Sequence, residues 1–468
     1  MKNNFKRNVA FFTLMLGLAT ISYAQLESSI ENMKKAVDKV FVNQPLWSIN
    51  STIYEVNLRQ YGKNSGFKTF EKEIPRLKSM GVDILWFMPI HPIGIKERKG
   101  SLGSYYAVRD YKAVNEEYGS MDEFKHMVDY AHSIGMHVII DWVANHTAPD
   151  HQWTETHPDF YTKSPDGKFV PPVADWSDVI DLNYDNKGLR AAMIDAMKFW
   201  LTDAKIDGFR CDVAEMVPLD FWIEAQRELV AVKPTLFMLA EGEKPELHAA
   251  FNMTYTWKGF NIFRKVAKGE YPARAIDDYL GEDKMNYSPK AVRMYFTTNH
   301  DENSWNGTEK EMLGDGAKAF YVLCATLNGM PLLYSGQEAG LDKRLKFFDK
   351  DPITWGNYAN ADFYTRLLSL KRKNNALLHS ESGGAFAKIL NTNPNQVYSF
   401  YRRKGKDEIV VILNLSNTEA AVKFERYKFA PSYTELFTDK KGTLKVDEEI
   451  KLKPWEYRVY VIDKTADK

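Results

Sequence analysis

Short apolar segments recur along the chain and alternate with longer segments whose apolar residues repeat every three or four positions. Segments of the first kind predict buried β-strands, and those of the second kind predict amphipathic helices. Strands are predicted at residues 52–56, 82–88, 137–141, 206–212, 235–240, 292–297 and 331–334. The clearest predicted helices span residues 67–79, 121–134 and 188–204. This alternation predicts a parallel sheet covered by helices.

The number of strands indicates which parallel architecture to expect. About eight strands over roughly 320 residues favour a closed (β/α)8 TIM barrel, in the α/β class, over an open sheet. Strands that are apolar almost throughout also fit burial on both faces. The alternative is a doubly wound open sheet, but no glycine-rich phosphate-binding motif follows the first strand.

Two regions depart from the alternation. Residues 146–186 form a long connection after the third strand, rich in Pro, Asp, Trp and His, and we expect a small inserted loop subdomain there. Toward the C-terminus, strand segments separated by polar turns predict an antiparallel β-sandwich. The predicted organisation is a signal peptide at 1–24, a catalytic barrel at 25–375 and a C-terminal β domain at 376–468.

The N-terminal residues have the features of an export signal. Three basic residues precede an apolar run at 9–21, and small residues at Ser22 and Ala24 favour cleavage before Gln25. The apolar run is too short for a membrane-spanning helix. We therefore expect a secreted or periplasmic protein, the alternative being a retained N-terminal anchor.

Charge and cysteine content narrow the expected partners. The 468 residues include 62 basic and 62 acidic ones, so the formal net charge is zero. Such a balance gives no electrostatic footprint for nucleic acid or an anionic membrane, and a neutral partner is expected. The two cysteines, Cys211 and Cys324, lie in apolar segments, so we expect free buried thiols rather than a disulfide or a metal site.

Polar side chains gather where the predicted strands end. They are Asp141, Asn145 and His146 after strand three, Arg210 and Asp212 at strand four, Glu241 after strand five, and Asn299, His300 and Asp301 after strand seven. Barrel enzymes carry their active sites at this rim. Two carboxylates there can split a glycosidic bond, one attacking the anomeric carbon and the other protonating the leaving oxygen. A third can stabilise positive charge, while uncharged imidazoles and an arginine bind sugar hydroxyls.

Arg210 and Asp212 share one side of strand four, because alternate residues of a strand face the same way. A guanidinium there can hold the carboxylate ionised at neutral pH, as a nucleophile requires. The simpler interpretation is an ordinary ion pair. Likewise, His146 could be a structural hydrogen-bonding residue and Glu241 a solvated loop residue. The joint placement of these groups at successive strand ends favours a catalytic site.

Four short segments, in order, resemble the signature regions of the α-amylase family of glycoside hydrolases (glycoside hydrolase family 13). They are residues 141–146, residues 208–212, Glu241 after an apolar strand, and residues 299–301. Further segments at 103–106, 180–183 and 329–338 are similar to subsidiary motifs of that family. The resemblance extends over roughly residues 50–468 and includes the terminal β domain.

The resemblance implies a role for each matching residue. Asp212 would be the nucleophile of a retaining double displacement, Glu241 the general acid/base, and Asp301 the transition-state stabiliser. Arg210 would orient Asp212. The subsite for the sugar whose bond is cut would be lined by Tyr106, His146 and His300.

The resemblance also implies a cofactor, and the sequence departs from the family nearby. In the family, the positions of Asn145 and Asp181 often bind a structural Ca²⁺, a cation that prefers oxygen ligands. Many α-amylases follow the nucleophile with Lys-His, where this chain has Glu215 and Met216, so substrate contacts there must differ. The inserted loop is short for the family, and its 180–183 segment matches no linkage-specific branch.

We therefore expect an α-amylase-like enzyme, a retaining hydrolase of α-1,4-glucosidic bonds in starch, glycogen or maltooligosaccharides. The alternatives within the family are a neopullulanase, an α-glucosidase or a transglycosylating enzyme. The alternative outside enzymes is a non-catalytic carbohydrate-binding barrel, which the loss of a carboxylate would favour, yet all three carboxylates are present. The expected partner is an α-glucan, with no nucleic acid and no membrane in the mature form.

Overall fold

The computed structural model describes residues 42–463, so the predicted signal peptide lies outside the described residues. Eight parallel strands close a barrel in which each strand pairs with its neighbour in sequence and the last pairs with the first. The strands are β1 (Ile53–Val56), β2 (Ile84–Phe87), β3 (His137–Trp142), β4 (Gly208–Cys211), β5 (Phe237–Ala240), β6 (Met253–Tyr255), β7 (Val292–Tyr295) and β8 (Met330–Tyr334). The predicted α/β class and TIM barrel are confirmed.

Strand β6 is the one barrel strand that the hydrophobic pattern does not predict. It has three residues, and the polar residues Asn252, Thr254 and Thr256 interrupt or flank its apolar ones. These polar groups are buried and bonded inside the barrel. Asn252 Oδ1 accepts a hydrogen bond from Met238 N at 2.7 Å, and Thr256 Oγ1 donates one to Met294 O at 2.7 Å. Because buried polar residues replace apolar ones in and around this short strand, the sequence contains no continuous apolar segment that would predict it.

Helices connect the strands and form the outer layer. They are α1 (Phe67–Phe70), α2 (Ile74–Met80), α3 (Met121–Ser133), α4 (Trp153–Thr156), α5 (Lys187–Thr202), α6 (Leu219–Val232), α7 (Trp257–Ala267), α8 (Ala275–Asn286), α9 (Glu309–Leu313), α10 (Ala317–Thr326) and α11 (Ala361–Lys373). The predicted single helix at 67–79 is divided by a 3₁₀ turn, and α2 restarts with Pro75 in its first turn. Proline is tolerated there because its missing N–H would have no helical partner.

A close approach between two strands fixes the start of β4. A side chain at Gly208 would place a Cβ atom 1.7 Å from the carbonyl oxygen of Phe237 in β5, so only glycine fits. The main chain of Asp207 accepts a hydrogen bond from Phe237 N at 2.9 Å in the same place. The register of β4 against β5 is thereby set, and with it the height of Arg210 and Asp212 at the rim.

The connection between β3 and β4 is the long loop that the sequence sets apart. It contains α4 and a two-stranded antiparallel pair, His146–Thr147 with Ile180–Asp181. Ala148 and Val179 of this connection pack against Ile93 and Ala107 from the loop after β2. The connection therefore stands over the C-terminal rim of the barrel and is anchored to a second loop there.

The C-terminal region forms antiparallel sheets. Its strands are β9 (Ala385–Lys388), β10 (Val397–Lys404), β11 (Asp407–Asn414), β12 (Ala420–Val422), β13 (Tyr433–Glu435), β14 (Lys441–Gly442), β15 (Ile450–Leu452) and β16 (Tyr457–Ile462). Six form one sheet in the order β9-β10-β11-β16-β13-β14, and β12 pairs with β15. Val410 and Ile412 pack with Val422 and Leu452, so the two sheets share a core. The opposite side of the large sheet joins the hydrophobic cluster of the barrel.

Two further observations concern the cysteines and the helices of the described residues. Cys211 and Cys324 are both buried and free, as predicted. Within residues 42–463, no helix combines the length and the apolar character needed to cross a bilayer.

Candidate active site

Arg210 is fully buried in β4, and its guanidinium gathers the carboxylates of three neighbouring strands. Its Nη1 donates hydrogen bonds to Asp141 Oδ1 at 2.8 Å and to Asp212 Oδ1 at 3.0 Å. Its Nη2 lies 3.1 Å from Glu241 Oε2, an ion pair whose angle is not that of a hydrogen bond. Its Nε donates to the Tyr255 hydroxyl at 3.2 Å. The predicted shared orientation of Arg210 and Asp212 is confirmed, and one cation holds three acidic groups.

His300 connects Asp301 to the barrel interior. Its Nε2 lies 3.2 Å from Asp301 Oδ2 and 2.6 Å from the Tyr106 hydroxyl. Its Nδ1 is hydrogen bonded to the carboxylate of Glu55. The Tyr106 hydroxyl donates to Asp141 Oδ2 at 3.1 Å, so it accepts from His300. This network fixes the imidazole ring and places it beside Asp301.

Glu55 is a functional neighbour that sequence reasoning missed. It is fully buried in β1, between the apolar residues Tyr54 and Val56. A carboxylate inside an apolar strand is costly unless it is paired, so its presence is itself a signal of a buried partner. The sequence does not show that the partner is His300, because 245 residues separate the two.

The two histidines of the site carry different charges. Burial lowers the pKa of His300, but the facing carboxylates of Asp301 and Glu55 raise it further, to about 9. Burial lowers the pKa of His146 to about 3. The expectation of uncharged imidazoles therefore holds for His146 and is wrong for His300, which is an imidazolium at neutral pH.

Three buried aspartic acids of the site, Asp141, Asp212 and Asp301, hold protons more tightly than isolated ones do. Burial, followed by the charge of Glu241, raises the pKa of Asp212 well above its ordinary value, and Arg210 offsets this only in part. Burial likewise raises the pKa of Asp141 to about 6 and raises that of Asp301. Arg210 therefore favours the ionised form of Asp212, as expected, but it does not cancel the opposing effects of burial and Glu241 on the pKa.

A strained turn joins Asp212 to Glu241. Val213 adopts φ +35° and ψ +47°, a left-handed conformation that is rare for a β-branched residue. Its N–H donates to Glu241 Oε2 at 2.7 Å, and the next N–H, of Ala214, donates to the main-chain oxygen of Glu241 at 3.1 Å. Strain of this kind persists where the surrounding structure enforces it. Here it holds the side chain of Glu241 next to that of Asp212.

Glu215, one of the two positions at which the sequence departs from the family pattern, has a structural role. Glu215 Oε1 accepts hydrogen bonds from the main-chain N–H groups of Glu243 at 2.6 Å and Lys244 at 3.1 Å. Its carboxylate thus braces the loop that follows Glu241. Met216 is 44% exposed and lines a second cavity beyond Glu241.

A cavity of about 450 Å³ opens directly above the carboxylates. Its lining includes five of the predicted residues, Tyr106, His146, Asp212, Glu241 and Asp301. The other two, Arg210 and His300, lie behind this layer and orient it. Aromatic walls come from Trp176, Trp305 and Phe347. Because Trp305 and Phe347 follow the ends of β7 and β8 outside any recognisable motif, sequence reasoning did not single them out.

The backbone segments that carry the predicted calcium ligands, Asn145 and Asp181, lie next to each other. Asp181 pairs with His146 across the short antiparallel ladder, and Leu182 N donates to the main-chain oxygen of Asn145 at 3.2 Å. Ca²⁺ requires six to eight oxygen ligands. Within residues 42–463, no group of three or more acidic, histidine or cysteine side chains is placed to hold a metal. Calcium at Asn145 and Asp181 therefore stays a prediction.

Comparison with models of known protein families shows which family this chain belongs to. The model of the α-amylase catalytic domain matches residues 62–171 and 173–408. The chain belongs to the α-amylase family. The resemblance seen in the sequence is therefore confirmed, and so is the assignment to glycoside hydrolase family 13, whose members act on α-glucans.

Similar proteins within the α-amylase family carry different activities in their names. The α-amylase MalA of Haloarcula japonica is 25% identical over 81% of this chain and 57% of its own length. The α-1,4-glucan:maltose-1-phosphate maltosyltransferase 1 of Streptomyces coelicolor is 25% identical over 75% of this chain and 55% of its own length. The chain thus spans little more than half of these two relatives.

A solved structure of the family is similar over nearly its whole length. The maltogenic α-amylase AmyB of Thermotoga neapolitana is 32% identical, with a TM-score of 0.81, and the match covers 89% of this chain and 99% of that one. These similarities establish membership of the family. They do not assign the bond that is cut or the product that is released.

Proposed function

We propose that the protein is a retaining glycoside hydrolase that cleaves α-1,4-glucosidic bonds in starch, glycogen or maltooligosaccharides. The observation that carries this proposal is the contact of Asp212 and Glu241 with the same guanidinium, at 3.0 and 3.1 Å, beneath a cavity that Asp301 also lines. A carboxylate that attacks and a neighbouring carboxylic acid that protonates the leaving oxygen are what a double displacement requires. The activities named for the relatives support an α-glucan as substrate.

In the first step, a carboxylate oxygen of Asp212 attacks the anomeric carbon and forms a glycosyl ester. The bond from that carbon to the glycosidic oxygen breaks, and Glu241 transfers its proton to this oxygen so that the leaving sugar departs as a neutral alcohol. General acid assistance of this kind is worth roughly 10²–10⁴-fold in rate. Asp301 faces the same cavity, where a negative charge stabilises the oxocarbenium-like transition state.

In the second step, Glu241 removes a proton from water, and the water oxygen attacks the anomeric carbon. The ester bond breaks, Asp212 becomes a carboxylate again, and Glu241 regains its proton. Because each step inverts the anomeric centre, the product keeps the α-configuration. If a sugar hydroxyl replaces water, the same chemistry becomes transglycosylation.

The groups behind the carboxylates keep them in position. Arg210 holds Asp212 and Glu241 through separate nitrogens, so the orientation of each survives when the other changes its charge. The imidazolium of His300, held by Glu55 and the Tyr106 hydroxyl, lies 3.2 Å from Asp301 and orients that carboxylate beside the cavity. These contacts preorganise the site before substrate binds.

The direct test is to trap the glycosyl ester. A fluorinated α-maltosyl fluoride that forms the intermediate quickly and loses it slowly should increase the intact mass by one glycosyl unit. Peptide mapping should locate this addition on Asp212. Labelling of another residue, or turnover of maltoheptaose with no trapped ester, would overturn the mechanism.

The linkage preference needs a separate assay. Digestion of amylose but not pullulan is expected for an α-1,4 hydrolase. Panose from pullulan would move the assignment to a neopullulanase, and products longer than the substrate would move it to a transglycosylating enzyme.

A further inference from the structure

Two cavities lie on opposite sides of Glu241. The first, of about 450 Å³, contains Asp212 and Asp301, and we call it the glycon chamber. The second, of about 680 Å³, contains Glu215, Met216 and Trp257 and shares only Val213 and Glu241 with the first.

The chemistry of the proposed function assigns a part of the substrate to each cavity. The nucleophile bonds to the sugar that is retained, and the general acid protonates the sugar that leaves. The retained sugar, with everything attached on its non-reducing side, must therefore occupy the glycon chamber. The leaving part of the chain extends into the second cavity.

An ion pair between two loops forms part of the lining of the glycon chamber. Lys99, from the loop after β2, places its Nζ 2.9 Å from Asp178 Oδ1 in the β3–β4 connection. The same Nζ donates to the main-chain oxygen of Asp175 at 2.9 Å. Asp178 is only 8% exposed in its side chain, so this pair is partly withdrawn from water and holds the two loops together.

The next residues continue the wall from the β2 loop to the β8 loop. Gly100 has φ +64°, and a Cβ atom there would lie 2.5 Å from Phe348 Cβ. Ser101 donates to Asp349 Oδ1 from both its N–H, at 2.9 Å, and its hydroxyl, at 2.6 Å. Leu102 N donates to Phe348 O at 3.0 Å. The two loops are thus in contact along these consecutive residues.

Arg59 supports this junction from below. It is fully buried, and its Nη1 donates to the main-chain oxygens of Gly103 at 2.9 Å and Phe347 at 3.3 Å. The ring of Trp305, after β7, lies 5.1 Å from that of Phe347 and 5.8 Å from that of Phe348. Residues from the β3–β4 connection and from the loops after β2, β7 and β8 therefore line the glycon chamber together.

We propose that the glycon chamber is closed at its far end, so that the enzyme removes short sugars from the non-reducing ends of α-glucans instead of cutting within the chain. This inference rests on the proposed function. A cavity of about 450 Å³ lies in the lower half of the roughly 300–1,000 Å³ range of sites that bury one drug-sized ligand. It holds a glycon of about one or two glucose units and has no exit for a longer one.

The test uses a pair of maltoheptaosides that differ at a single position. One carries a ketal across O4 and O6 of its non-reducing-end glucose, and the other is unblocked. Products are separated by chromatography. The unblocked substrate should release one short sugar at first turnover, and the blocked one should react about a hundredfold or more slowly, because its end is excluded sterically.

The outcomes separate this inference from the proposed function. Equal rates on the two substrates, with products from internal bonds, would overturn the closed chamber and leave the hydrolase assignment intact. Cleavage of neither substrate would overturn the proposed function and this inference with it.

A variant of the wall gives an independent check. Lys99→Ala removes the tie to Asp178 and should raise the rate on the blocked substrate relative to the unblocked one by about tenfold or more. Lys112→Ala is the matched control, since Lys112 forms a similar pair with Asp195 at 2.6 Å on an exposed surface. An unchanged ratio in a folded Lys99→Ala protein would show that this wall does not limit the glycon.

Discussion

The two ends of β4 carry buried aspartates in opposite electrostatic settings. Asp207 precedes the strand and is 5% exposed, while Asp212 follows it and is 7% exposed. Burial alone would raise the pKa of both carboxyls. What differs is the set of charges that each one meets.

Asp207 meets only groups that stabilise its negative charge. Its Oδ2 accepts hydrogen bonds from His132 Nε2 at 2.7 Å and Val138 N at 2.8 Å, and Lys233 Nζ lies 2.9 Å from its Oδ1. Burial raises the pKa of Asp207, but His132, His137 and Lys233 outweigh it and bring the pKa well below the ordinary value. This end of the strand ties α3, β3 and the segment after α6 together.

Asp212 shares its one guanidinium with two competing carboxylates, Asp141 and Glu241. Its pKa is raised by burial and by Glu241, so the folded state is less favourable for its charge than water is. One strand thus contributes to stability at its N-terminal end and to reactivity at its C-terminal end. The difference arises from the number of cations per buried carboxylate.

The largest expected effect comes from removing the nucleophile. Asp212→Asn should lower kcat by at least about 10⁴-fold, the scale on which loss of a nucleophile acts. The free energy of unfolding at pH 7 should stay the same or increase, since the variant loses a buried charge that the fold disfavours. Kinetics on maltoheptaose and a denaturant titration measure the two quantities. A stable variant with near-normal turnover would show that Asp212 is not the nucleophile.

The second-largest expected effect is a loss of stability on changing Asp207, at the N-terminal end of β4. Asp207→Asn should lower the free energy of unfolding by roughly 3–5 kcal/mol, because His132 and Lys233 lose their buried counter-charge. At a temperature where the variant is folded, kcat should be unchanged. Asp195→Asn, in an exposed pair with Lys112, is the control and should change stability by less than about 0.5 kcal/mol. If Asp207→Asn lowered kcat but not stability, Asp207 would contribute to reactivity and not to stability, contrary to this account.

A smaller effect should appear in the pH dependence. Glu55 raises the pKa of His300, which is about 9, so kcat/KM should fall as the pH rises through this region and the imidazolium loses its proton. Glu55→Gln removes that carboxylate, and the alkaline limb should move to lower pH by about one unit or more. A pH–rate profile of both proteins gives the shift. An alkaline limb at the same pH in both would show that His300 is not the group that titrates.

Most of the fold and part of the site could be predicted from the sequence because the signals are local. Apolar strands alternate with helices, and Arg210 and Asp212 are two residues apart, so their common orientation follows from strand geometry alone. The three carboxylates follow the ends of β4, β5 and β7, which the barrel brings to one rim. The short polar strand Met253–Tyr255 had no such signal.

The remaining features depend on residues that are distant in the sequence. Glu55 meets His300 only after the barrel closes between β8 and β1. Likewise, His132 meets Asp207 across the base of the barrel, and nothing local in either segment indicates it. The charge of His300 was predicted wrongly and the raised pKa of Asp212 was missed for the same reason, since each depends on how many carboxylates the fold places around it.

The most direct test of the contrast within β4 is the free energy of unfolding against pH for the wild type, Asp207→Asn and Asp212→Asn. The contribution of Asp207, whose folded pKa is lowered, should be full above the unfolded-state pKa of about 4 and should be lost as the pH falls below it. Asp212, whose folded pKa is raised, should impose a penalty that grows as the pH rises above about 4. The account therefore predicts that Asp207→Asn is less stable and Asp212→Asn at least as stable as the wild type at pH 7, with both differences shrinking below about pH 4. Two variants destabilised alike across this range would contradict it.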